Sequence, residues 1–363
     1  MGNGRSWAEV DLGKIAANYR AYKDYVGCDV MAVVKANAYG HGAVPVSRKL
    51  QEIGVFQFAV ATVDEGIELR DNGIEGLILI LGYTPPSRFI DLESFNLSQA
   101  IISEQYKQTL FESGVKSKVH IAIDTGMNRV GIKADDPQYC EQFIRECEGQ
   151  LNVEGIFTHL CVADTIDKES IDFTRTQIEK FDTVLERVQD LQIPYRHCIN
   201  SAGGLNYKSK YSNMDRLGII MYGLLPDNNM KLPIEITPAL TWKSTVTMVK
   251  TVLPGESVSY GRMFTADKEM RIAVISTGYA DGYNRMLSNK GHVLIHGQSA
   301  PIVGRVCMDQ FMVDVTEIEA VPGDEVVLID GKNFTADDMA ECIGTIGYEV
   351  VCNISNRVPR EYN

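Results

Sequence analysis

The chain has no Cys-x-x-Cys pair, no His-Glu-x-x-His sequence and no basic run interleaved with aromatics. Its eight cysteines (Cys28, Cys140, Cys147, Cys161, Cys198, Cys307, Cys342 and Cys352) are scattered singly, a pattern of reduced thiols rather than of disulfides or zinc ligands. No metal site is expected. Lysine and arginine number 35 against 48 acidic residues, and the resulting charge of -13 excludes a nucleic-acid surface. No apolar stretch approaches the roughly 20 residues of a membrane span, and the opening MGNGRSW has no signal-peptide apolar region. These absences describe a cytoplasmic chain with no membrane contact of its own. What remains is 363 residues, 45% hydrophobic, enough for one large core or two ordinary ones.

Strand-like runs alternate with helical periodicity as far as about Gly223. They are VMAVVKA (30–36), FAVAT (58–62), LILILG (77–82), QAIIS (99–103), KVHIAID (118–124), VEGIFTH (153–159), YRHCIN (195–200) and DRLGIIMYG (215–223). Between them lie segments such as IEKFDTVLERVQDL, where Ile178, Phe181, Leu185 and Val188 repeat on one helical face. Eight repeats favour a closed (β/α)8 barrel, although the alternation alone also permits an open sheet. After the polar link LPDNNMKLP (225–233) the pattern changes to short strands, turns and one helix near Thr335 to Cys342. The expected organisation is α/β: a barrel over 1–233, whose first ten or so residues pack with the second domain, and a mostly-β domain over 234–363.

Barrel chemistry sits just past the strand ends. The first run ends in AVVKANAYGHG, where Lys35 is either a stem snorkelling to water or an amine held at the barrel mouth. Other strand ends supply Tyr39, Asp124, Arg129 in TGMNRVG, His159, His197, Asn200, Ser201, Arg216, Gly218 and Ile219. Singly, each has an ordinary explanation as a solvated end, a surface arginine or a hydrogen-bonded core histidine. Together they describe an amine whose pKa is depressed by cations and burial, the state that forms a Schiff base with an aldehyde. Backbone N–H groups around Gly218 and the Ser201 hydroxyl suit a phosphate. A lysine beside a phosphate cradle points to pyridoxal phosphate.

AVVKANAYGHG resembles the cofactor-lysine motif of alanine racemases. The likeness continues through DTGMNRVG, HCINSAGG, RLGIIMYG, VSYGR, STGYADGYNR, PIVGRVCMDQ and CNISNRVPR, in order, from about residue 7 to 362. The resemblance implies a barrel carrying pyridoxal phosphate, a carboxy-terminal β domain, and a homodimer in which that domain completes the partner's site. By the same resemblance Lys35 carries the cofactor and moves one proton, while Tyr260 is the base on the opposite face. His159 belongs to the network beside that tyrosine, and Arg216 faces the pyridine nitrogen. Arg129 and Met308 are similar to the residues that hold the substrate carboxylate. Tyr39, Asn200, Ser201, Gly218 and Ile219 match cofactor-binding positions, and Tyr279, Asp164, Arg285 and Arg305 match the lining of an access corridor.

Two positions depart from the family. Many relatives carry a lysine, often carbamylated, seven positions before the residue matching Arg129; here it is Ala122, so a bound anion or another carboxylate must support that arginine. In ISNRVPR, Asn356 stands where relatives have tyrosine, giving room and an amide for a substrate hydroxyl. That pattern is similar to the racemase domains of membrane-anchored serine racemases of vancomycin resistance. It implies use of serine as well as alanine, D-serine for modified peptidoglycan precursors, and a membrane region in a longer protein. The alternatives are a biosynthetic alanine racemase, a racemase for larger or basic amino acids, and a pyridoxal phosphate carrier without turnover. Carriers lack the β domain and the VSYGR tyrosine.

Overall fold

The structure, a computed structural model, describes residues 4–363. The first three residues of MGNGRSW, and with them part of the leader reading above, lie outside the described residues. Eight parallel strands form the barrel: β1 (Asp29–Val33), β2 (Gln57–Val60), β3 (Leu77–Ile80), β4 (Ser98–Ile101), β5 (Lys118–Asp124), β6 (Asn152–Phe157), β7 (Tyr195–His197) and β8 (Met214–Leu217). Each pairs with the next, and β8 returns to β1 through Arg216 opposite Met31, so the sheet is closed rather than open. Most strands stop two or three residues before the apolar runs do. The residues beyond, Lys35 and His159 among them, are therefore loop residues on a rigid rim.

Helices form where the sequence supplies caps and a single apolar face. Asp11 accepts the N–H of Lys14 at the start of Leu12–Val26, and Gly27 closes that helix in the left-handed conformation. Lys168–Arg187 buries Ile178, Phe181 and Leu185 against the barrel, the face its periodicity predicts. The last run, DRLGIIMYG, divides at Gly218 into β8 and a 3-10 turn, Ile219–Tyr222.

The second domain is organised on the long strand Leu240–Val252. It pairs antiparallel with Ser6–Val10, Met270–Ile275 and Glu325–Ile329. Ser6–Val10 also pairs parallel with Arg360–Tyr362, so the amino-terminal strand belongs to this sheet. The expected helix is Ala336–Ile343, opened by a Thr335–Asp338 capping box. A second, Gly347–Cys352, has only six residues, too few to show a helical period in the sequence. Its end meets the barrel closely: a Cβ on Gly40 would lie 2.1 Å from the Val351 carbonyl oxygen. The glycine-rich turn after Lys35 thus fits the backbone of the second domain. No helix among the described residues is long and apolar enough to cross a membrane.

Candidate active site

Past the end of β1 the backbone takes an uncommon form. Ala36, Asn37, Ala38 and Tyr39 all have φ of 52–53°, a left-handed turn without glycine that costs roughly 1–2 kcal/mol per residue. Side chains hold it. Glu65 accepts the N–H of Ala36 at 2.6 Å and that of Ala61 at 2.7 Å, Asn37 accepts the N–H of Ala43 at 2.8 Å, and Tyr39 packs on Tyr222. The turn places Lys35 and Tyr39 on one cavity.

That cavity, about 540 Å³, opens at the carboxyl ends of the strands. Lys35, Arg129, His159, Asp164 and Arg216 line it, together with Tyr39, Asn200, Ser201, Gly218 and Ile219. His197 lies deeper, wholly buried beneath Arg216. Tyr348 and Cys352 of the second domain also line the cavity, and no sequence signal marked them. They reach it through the short helix Gly347–Cys352, some three hundred residues from Lys35 along the chain.

Burial pushes the Lys35 amine below its usual pKa, assisted by Arg129 and Arg216 and opposed by Glu65. Arg216 is buried, and both its terminal nitrogens are bonded. Its Nη1 donates to His197 Nδ1 at 2.8 Å and to the His197 carbonyl at 3.0 Å; its Nη2 donates to the Thr158 carbonyl at 2.7 Å and to His159 Nδ1 at 3.0 Å. Burial lowers its pKa to about 10, so it is still a cation at neutral pH. His159, buried beside Arg216, Arg129 and Lys35, is held well below the ordinary imidazole value and is neutral.

Pyridoxal phosphate fits these residues. Gly218 lacks the Cβ that would stand 2.8 Å from the Tyr39 hydroxyl, and its N–H donates to Ser201 Oγ at 2.8 Å. Ser201 therefore keeps its own proton for a phosphate oxygen. Ile219 opens a turn whose first amides have no partner within it. Three cations in one cavity suit both a phosphate and a carboxylate.

Six other positions lie elsewhere. Tyr260 is 71% exposed and Met308 53% exposed, both on the second domain. Arg305 borders Gly261, its carbonyl accepts from Ser259, and Tyr279 donates its N–H to the Cys307 carbonyl, which gathers Tyr260, Arg305, Tyr279 and Met308 into one patch. Arg285 joins them through Ser288, which donates to the Arg285 carbonyl and accepts from the Val306 N–H. Asp164, expected with Arg285 and Arg305 in one corridor, lines the barrel cavity. Asn356 is exposed and outside the cavity lining, whereas Cys352 of the same segment is inside it. Ala122 packs with Ala100 and Phe157, and no carboxylate among the described residues pairs with Arg129. Asp124, the nearest in sequence, accepts the N–H groups of Gly126 and Asn128.

Two family models match the chain: "Alanine racemase, N-terminal domain" over residues 10–226 and "Alanine racemase, C-terminal domain" over residues 239–362. The chain is 43% identical to alanine racemase 1 of Clostridium acetobutylicum, covering 98% of this chain and 95% of that protein. It is 44% identical to alanine racemase 2 of Caldanaerobacter subterraneus, covering 98% and 94%. Among solved structures, alanine racemase of Clostridium difficile superposes with a TM-score of 0.92 at 36% identity, covering 100% of this chain and 97% of that one. Alanine racemase of Bacillus anthracis with bound L-Ala-P gives 0.91 at 35%, covering 99% and 95%.

Proposed function

Because this chain belongs to the alanine racemase family, we propose that it interconverts L- and D-alanine, with Lys35 carrying pyridoxal phosphate and Tyr260 of a second copy completing the site. Enzymes of this family are pyridoxal phosphate-dependent isomerases. The observation that carries the reading is Lys35 itself, a depressed-pKa amine at a strand end in the cavity that holds the Ser201–Gly218 cradle.

When bound, the cofactor supplies an electron sink for the carbon that loses its proton. The chain's own residues do the rest. Racemisation takes a proton from one face and returns it to the other, so two acid–base groups must flank the substrate. Lys35 serves one face. Tyr260, displayed on the outer surface of the second domain, serves the other across a dimer. His159 accepts from Arg216 at Nδ1 and carries its proton on Nε2, which leaves a donor for the tyrosine oxygen. Arg216, which by the family resemblance would hold the pyridine nitrogen, cannot give up a proton there, which would keep the electron sink weak. Arg129 and the Met308 N–H hold the substrate carboxylate.

Alanine replaces the serine reading of the sequence. The similar proteins are named alanine racemases, nothing in the comparisons links the chain to vancomycin resistance, and Asn356 lies outside the cavity lining. The test is direct: cofactor-loaded protein with L-alanine should produce D-alanine, and borohydride should fix the cofactor on Lys35. Cofactor-loaded protein that racemises serine but not alanine, or fixes the cofactor on another lysine, would overturn the proposal.

A further inference from the structure

Inside the barrel, below the cavity, a chain of side chains runs from Arg216 toward the amino-terminal ends of the strands. Arg216 Nη1 meets His197 Nδ1 at 2.8 Å, and His197 Nε2 meets His120 Nδ1 at 2.8 Å. His120 Nε2 meets Glu154 Oε1 at 3.3 Å, and Glu154 also accepts the Ser98 hydroxyl. Both imidazoles are completely buried. His197 stacks on Phe157 at an interplanar angle of 4° and His120 on Tyr195 at 9°, so neither ring is free to turn. Gly155 makes the space: a Cβ there would lie 2.0 Å from His120 Nδ1.

The proton positions follow from the two ends. Arginine only donates and a carboxylate only accepts. His197 Nδ1 receives from Arg216, so its proton is on Nε2 and points at His120 Nδ1. His120 then carries its proton on Nε2, pointing at Glu154. The reverse order would leave His197 with no proton on either nitrogen. Burial lowers the pKa of both rings, in keeping with two neutral imidazoles.

We propose that Glu154 is a positioning residue: as the last acceptor of the chain it holds His120 and, through His120 and His197, fixes the Arg216 guanidinium in the cavity. Its effect on turnover rests on the racemase reading above; the proton order does not. The experiment uses protein labelled with 15N-histidine, as wild type, Glu154→Gln and Glu154→Leu, with and without cofactor. Long-range 1H–15N spectra of the wild type should show both histidines protonated on Nε2. Glutamine can still accept from His120 through its amide oxygen, so Glu154→Gln should keep both tautomers, whereas Glu154→Leu, which accepts nothing, should shift the His120 Nε2 nitrogen and its proton away from their hydrogen-bonded positions. In the loaded enzyme Glu154→Leu should lower kcat at least about tenfold with KM within about twofold, and Glu154→Gln should restore most of that loss. A proton on His197 Nδ1 in the wild type, or a His120 signal untouched by Glu154→Leu in folded protein, would overturn the inference. The expected spectra in a protein that racemises nothing would uphold the proton chain and sink the functional reading instead.

Discussion

The barrel cavity and the Tyr260 patch are built by opposite means. In the cavity, Arg216 is buried and Lys35 and His159 are half-buried, their protonation set by desolvation and by one another, and Arg216 has four close acceptors. In the patch, Tyr260 and Met308 stand in solvent on backbone that includes Ser259 at φ 69° and Arg262 at φ 50°. Such residues cost of order 1–3 kcal/mol each and persist where the geometry is needed. The cavity is lined by residues of one chain. The patch is preshaped too, but its Tyr260 is exposed, which is the form expected of a residue delivered to a neighbour.

The largest test of this contrast is Lys35→Ala, which removes both the proposed cofactor anchor and one proposed base. Alanine racemisation should fall at least about 10³-fold, measured on folded protein by coupled assay. Tyr260→Phe should lose about 10²-fold or more while the cofactor spectrum in the visible persists, because the patch supplies a proton carrier and not the anchor. A variant that instead lost the cofactor would place Tyr260 in the cavity half.

A third test concerns the scaffold under the turn. His41 is fully buried, bonded through Nδ1 to the Ala38 and Tyr39 carbonyls, and burial lowers its pKa to about 4. Between 6.5 and about 4 the unfolded chain binds a proton that the folded chain refuses, so stability falls as pH drops through that window, by up to about 1.4 kcal/mol per pH unit. Asp215, raised to about 6 by burial, works in the opposite direction over 3.8 to 6. Both proteins in a comparison of wild type with His41→Asn retain Asp215, so the urea-unfolding stability of the wild type relative to the variant should fall as pH drops from 6.5 to 4. The smallest effect belongs to Asn356→Tyr. If alanine is the substrate and Asn356 lies outside the lining, the ratio of kcat/KM for serine to that for alanine should move less than about twofold. A tenfold fall, about 1.4 kcal/mol, would restore the serine reading.

Much of the cavity was legible because barrel strands end in register, so Lys35, His159, Ser201 and Arg216 could be placed together from the apolar runs alone. The left-handed turn was not legible, since Ala-Asn-Ala-Tyr contains no glycine to mark four positive φ values. Tyr348 and Cys352 escaped because their contact with the cavity depends on how the second domain docks at Gly40. The Glu154–His120–His197 chain escaped for a related reason: strand periodicity says which face a residue occupies, but only barrel closure decides which inward residues touch. The departure at Asn356 drew a serine preference from a single position, and comparison across the whole chain favours alanine.

The division of the site between two chains is tested most directly by mixing inactive Lys35→Ala and Tyr260→Phe homodimers under subunit exchange. Each heterodimer should regain about one working site, because one of its two cavities combines an intact Lys35 with an intact Tyr260. Heterodimers that form and stay inactive would contradict the account and return both residues to the same chain's site.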